Sequence, residues 1–159
     1  MKQSKYITIL GSSLFGIYLI QEIFQIKITS LELLQQQEMY KRWSGLVMAL
    51  FILIQWFLTF SRIIPKFQSK AATINTIHKW IGVLSPILLY LHSTRFGFGY
   101  LALFCYLFLV NVLLGTMNLD VIKSTKDWIF KGWMITHVAI SMCITVLLFF
   151  HMGTVFYYK

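Results

Sequence analysis

Four histidines are the only residues of this 159-residue chain whose type and spacing together suggest chemistry. They are His78, His92, His137 and His151, and they form two pairs with the same interval of 14 residues. On a helix that interval is close to four turns, so the two imidazoles of a pair face nearly the same way, about 21 Å apart along the axis. A single histidine inside a membrane helix commonly does no more than hydrogen-bond a neighbouring helix. Four of them in two equal spacings ask for a shared purpose, and imidazole is a common metal ligand as well as a group that titrates near neutrality.

The elements that must carry these histidines are membrane helices. The chain is 58% hydrophobic, 17% aromatic and 12% charged, with a mean hydropathy of +0.72, far from the composition of a soluble domain. Runs long enough to cross a bilayer as helices predict about five spans: Tyr6 to Ile26, Trp43 to Ile64, Ile77 to His92, Phe96 to Met117 and Trp133 to Tyr157. Lys2 and Lys5 before the first run are reminiscent of a secretory signal, but no small-x-small cleavage motif follows, so the run is read as helix one. The expectation is an all-α integral membrane protein in one domain, residues 1–159. Its connections, residues 27–42 and 65–76, are too short to fold alone. LELLQQQEMY, in the first connection, is read as a brief amphipathic turn on the membrane surface.

A net charge of +9 would suit nucleic acid, but the basic residues are scattered through loops, where they orient a membrane protein instead. Lys2, Lys5, Arg62, Lys66, Lys70, Lys79, Lys123, Lys126 and Lys131 fall on the N-terminal side of the membrane; Lys27, Lys41, Arg42, Arg95 and Lys159 fall on the other. The excess predicts the N-terminus inside and the C-terminus outside, in a bacterial inner membrane or its organellar equivalent. Cys105 and Cys143 lie within predicted helices, and the absence of CxxC and CxxCH argues against a disulfide framework or covalent haem attachment.

Helices three and five, separated by one helix, should run parallel. Equal depth then pairs His78 with His137 and His92 with His151, giving one bis-imidazole site near each membrane face. Two neutral imidazoles facing each other can clasp a porphyrin through its iron, whereas zinc or copper would want more ligands than these stripes carry. Two non-covalent b haems, both bis-histidine, are therefore expected. Gly82 and Ser141, each one turn beyond the first histidine of its pair, are small enough to let a macrocycle approach. Arg95 is a candidate for the propionates of the outer haem, and Lys79 or Lys131 for those of the inner one, although such residues also snorkel at helix ends unaided. Pro86 loosens helix three without a chemical role. Trp43, Trp80, Trp128 and Trp133 read as an interfacial belt.

Two parallel helices carrying His-x13-His, the opening HKWIGVL, the WMITH before the second pair, and GYLALFCYLFLVNVLLGTMN between them resemble the transmembrane core of the ferric reductase and NADPH oxidase family. The resemblance covers about residues 77–157. A similar arrangement occurs in cytochrome b of the quinol-oxidising bc complexes and in membrane subunits of formate dehydrogenases and hydrogenases. It implies two b haems held by His78, His92, His137 and His151, and electron transfer across the membrane. Reductase and oxidase members commonly add a sixth helix with flavin and nicotinamide domains. Here the sequence stops at Lys159 with no GxGxxG, so a redox partner subunit or a quinone is expected to supply or accept the electrons. Rival expectations are a structural or assembly subunit whose histidines only bond between helices, and a small proton-coupled transporter using them as a relay.

Overall fold

The computed structural model describes residues 2–117 and 127–158. Lys123, Lys126 and Lys159, used above in the charge count, lie outside the described residues, as does the side chain of Lys2. All regular structure among the described residues is helical: α1 (Lys2–Ile23), α2 (Thr29–Gln36), α3 (Glu38–Gln55), α4 (Phe57–Ile63), α5 (Pro65–Gln68), α6 (Ala71–Gly82), α7 (Ser85–His92), α8 (Tyr100–Thr116) and α9 (Asp127–Tyr157). Three stretches are long and apolar enough to cross a membrane: Lys5–Ile23, Glu38–Ile63 and Asp127–Tyr157. The other two expected spans are shorter. The fourth is the 17-residue α8, about 25 Å long. The third is divided into α6 and α7.

Local chemistry explains the division. Pro86 has no N–H to give the Gly82 carbonyl four residues back, and its ring crowds that carbonyl. The hydroxyl of Ser85 donates to the Gly82 carbonyl instead. Val83 and Leu84 keep right-handed backbone angles between the two pieces, and the Leu84 N–H reaches only three residues back, to Ile81. The freed carbonyl is thus satisfied within its own turn. The start of α8 is set by glycine: Gly97 and Gly99 have φ of +71° and +61°, a region that suits glycine, and Gly99 is the residue from which α8 departs.

The chain forms two compact units, one from Leu10 to Thr94 and one comprising residues up to Ile9 and those from Arg95 onward. In the Leu10–Thr94 unit, α3 and α4 run against α7 and α6 as an antiparallel hairpin. Its interior holds Tyr18, Leu31, Met48, Ala49, Phe51, Ile52, Val83 and Leu89. Tyr18 meets Tyr90 edge to face, with ring centroids 6.5 Å apart, a favoured aromatic geometry. In the other unit, α8 and α9 form a second antiparallel hairpin, closed by Phe108 and Leu109 with Ile144 and Leu148. Most remaining large apolar side chains point outward, as a lipid-facing surface requires.

The segment expected as a surface turn is more firmly held. It forms α2, buries Leu31, and passes through Gln37 directly into α3.

Candidate functional site

Each hairpin carries two histidines on its second limb and supports them from its first. His78 and His92 belong to the Leu10–Thr94 unit; His137 and His151 belong to the other. All four are half-buried. On α9, an unbroken helix of 31 residues, the 14-residue interval keeps His137 and His151 on one face. On the other limb the break at Pro86 falls between His78 and His92, yet both rings still address the same strut formed by α3. His78 meets its C-terminal end at Gln55, and His92 meets its first turns at Ser44 and Gly45.

One proton arrangement satisfies all the hydrogen bonds around three of the rings. Nδ1 of His78 lies 3.2 Å from the Gln55 carbonyl oxygen. A carbonyl only accepts, so Nδ1 carries the hydrogen and Nε2 the lone pair. Nδ1 of His92 lies 3.1 Å from the Ser44 hydroxyl, which also lies 3.3 Å from the Lys41 carbonyl. Keeping both bonds makes Ser44 the acceptor and protonates His92 on Nδ1. Around His151 the bonds close a ring. Thr154 donates to the His151 carbonyl at 2.8 Å. Keeping that bond makes Tyr100 the donor to Thr154 at 3.0 Å and its oxygen the acceptor for His151 Nδ1 at 3.4 Å. In these three rings the nitrogen left with its lone pair is Nε2, the arrangement by which a metal-binding histidine is oriented and made more basic.

His137 is held by packing. Its ring is stacked on Trp133, with centroids 5.9 Å apart and planes 8° from parallel, and the Trp133 indole N–H donates to the Leu114 carbonyl at 2.8 Å. Trp133 is thus a support for His137, and differs from the exposed Trp43, Trp80 and Trp128 with which the sequence grouped it. Glycine gives two of the rings room. A Cβ on Gly45 would sit 3.2 Å from Cε1 of His92, and one on Gly115 would sit 3.5 Å from Cε1 of His137.

The remaining expected site residues divide. A Cβ on Gly82 would meet nothing within 4 Å, so space for a flat group remains beside α6. Ser141 does not merely leave space: it accepts from Asn111 at 3.0 Å and donates to the His137 carbonyl at 2.8 Å, tying α9 to α8. Arg95 and Lys131 are exposed and Lys79 is half-buried. Neither Cys105 nor Cys143 forms a disulfide. Both polar side-chain atoms of Gln55 are buried without a hydrogen-bond partner.

The donor set is imidazole alone. Among the described residues, no cluster of three or more His, Cys, Asp or Glu side chains could hold a bare metal ion. A porphyrin iron needs only one imidazole on each face, and Nδ1-protonated rings present the nitrogen it requires.

Sequence reasoning missed Ser44, Gly45, Tyr100, Gly115 and Trp133. An antiparallel hairpin makes the polar ones findable. Folding the chain about residues 65–70 sets Ser44 opposite His92 and Gln55 opposite His78, and folding it ahead of α9 sets Tyr100 opposite His151. No family model, curated protein or solved structure matches the chain.

Proposed function

We propose that this protein is a di-haem b-type cytochrome subunit that carries electrons across a membrane. On this reading the chain crosses the membrane five times, with the broken α6–α7 and the short α8 as the third and fourth spans. On the same reading His78 and His137 would hold an inner haem, and His92 and His151 an outer one. Each haem, when bound, supplies the reversible one-electron chemistry. The chain supplies neutral, oriented imidazoles, a dry apolar surround that tunes the potential, and glycine at Gly82 to admit the ring. An iron held by two of these histidines would have no position left for a small substrate. Electrons then enter and leave at the haem edges, through a partner subunit or a quinone. The excess of basic residues on the N-terminal side places the inner haem toward the cytoplasm or its organellar equivalent.

The observation that carries this reading is shared geometry: Nδ1 of His78, His92 and His151 each lies within hydrogen-bond distance of the first limb of its own hairpin, which turns Nε2 away from that bond. The same bonds also favour a second reading, in which the histidines only join helices, since every one crosses a hairpin. The absorption spectrum separates the two. The cytochrome reading expects split visible bands on reduction and two haems per chain, with His92 and His151 replacements removing the same haem. A colourless preparation from haem-replete cells refutes it and leaves the structural reading.

A further inference from the structure

At the end of α7, helix geometry would normally close one more bond, from the Thr94 N–H to the Tyr90 carbonyl. The amide of Gln35 is inserted between those two groups. Its Oε1 accepts from the Thr94 N–H at 3.1 Å and from the Thr94 hydroxyl at 2.8 Å. Its Nε2 donates to the Tyr90 carbonyl at 2.8 Å and the Leu91 carbonyl at 3.1 Å. Both lone pairs and both hydrogens of the side chain are used. The Tyr40 hydroxyl adds a second donor to the Leu91 carbonyl at 2.8 Å. Thr94 is buried and Gln35 half-buried, so these bonds are partly sheltered from competing water.

We propose that Gln35, assisted by Tyr40, is the positioning residue for the His92 imidazole and thereby for one of the two haem sites. The proposal rests on the cytochrome reading for its redox consequence. His92 is the last residue of α7, where helix ends fray, and its backbone would swing if the carbonyls just before it were left to water. α2 prevents this by gripping Tyr90, Leu91 and Thr94 on either side of His92. Gln37 then turns the chain into α3, which meets the ring itself at Ser44 and Gly45. One elbow therefore fixes both the backbone and the ring of this ligand. None of the other three histidines stands at a helix end: His78 and His137 lie within α6 and α9, and α9 continues past His151 to Tyr157.

The test uses the full chain, purified with its haem, as wild type and as Gln35→Leu, Gln35→Glu and Tyr40→Phe. Loss of one clamp bond should speed hydrogen exchange at the Thr94 amide about tenfold in Gln35→Leu. Gln35→Glu retains the acceptor but loses the donor, so it should protect Thr94 while still freeing the carbonyls. In both Gln35 variants the low-spin signal and midpoint potential of one haem should move while the other haem stays put, with a smaller shift in Tyr40→Phe. Equal movement of both haems, or faster Thr94 exchange with neither haem changed, overturns the positioning role. If the wild type carries no haem, the cytochrome reading fails by itself. The clamp is then judged on the 15N resonances of the His92 ring: a shift on Gln35→Leu upholds it, and an unchanged ring refutes it.

Discussion

Replacing Ser44 with alanine tests whether the tautomer of His92 is set from α3. The substitution removes the acceptor 3.1 Å from Nδ1 and leaves a half-buried N–H without it. An orphaned buried donor costs about 1–3 kcal/mol, and partial exposure of His92 argues for the lower half of that range. On the cytochrome reading, at about 1.4 kcal/mol per decade, 1–1.5 kcal/mol would weaken binding of a haem held by His92 roughly 5–12-fold, near the low end of the 10–100-fold effects known for residues that hydrogen-bond metal ligands. On that reading the imidazole would also become a weaker donor to iron, which favours the ferrous state and would raise the midpoint potential of that haem alone. Gly45→Ala acts on the same ring sterically, because its new methyl would sit 3.2 Å from Cε1. Haem titration of the stripped protein and a potentiometric titration followed in the visible bands measure both effects. A Ser44→Ala protein with unchanged haem affinity and unchanged potential would refute the assignment of Nδ1–H to this bond.

Three further outcomes are expected. Ser85→Ala should cost about 1–3 kcal/mol in denaturant unfolding by stranding the Gly82 carbonyl. The same change should cost clearly less on a Pro86→Ala background, where the restored N–H can take that carbonyl; equal costs would show that Ser85 does not answer the proline. In the α8–α9 hairpin, Leu148→Ala should lose about 2–5 kcal/mol because the side chain is 3% exposed, whereas the lipid-facing Val146→Ala, 69% exposed, should fall within about 0.5 kcal/mol; a reversed order would mean the packed face of α9 is misassigned. If the proposed cytochrome reading and its orientation hold, a membrane-impermeant reductant added outside oriented vesicles should reduce the haem assigned to the His92 end first, and first reduction of the other haem would invert the orientation.

The sequence by itself determined the helical, membrane-compatible character of the chain, because mean hydropathy and the length of apolar runs act locally and need no partner. It also determined the four candidate ligands, since equal intervals on helices fix relative facing wherever the helix is unbroken, as between His137 and His151 on α9. Gly82 and Pro86 marked where that reasoning would be interrupted, though not how the carbonyl would be satisfied; the answer, Ser85, is adjacent in sequence but depends on the turn actually formed. What supports each imidazole was decided only by tertiary structure. Ser44, Gln55 and Tyr100 lie 23 to 51 residues from the histidines they meet. Their residue types suit many roles in a membrane helix. Likewise Trp133 had the composition of an interfacial anchor until α8 brought the Leu114 carbonyl to its indole. Apolar burial is read from one residue at a time, whereas a hydrogen bond has direction and needs two partners at a defined distance. The groups that meet each imidazole therefore became legible only once the hairpins had closed.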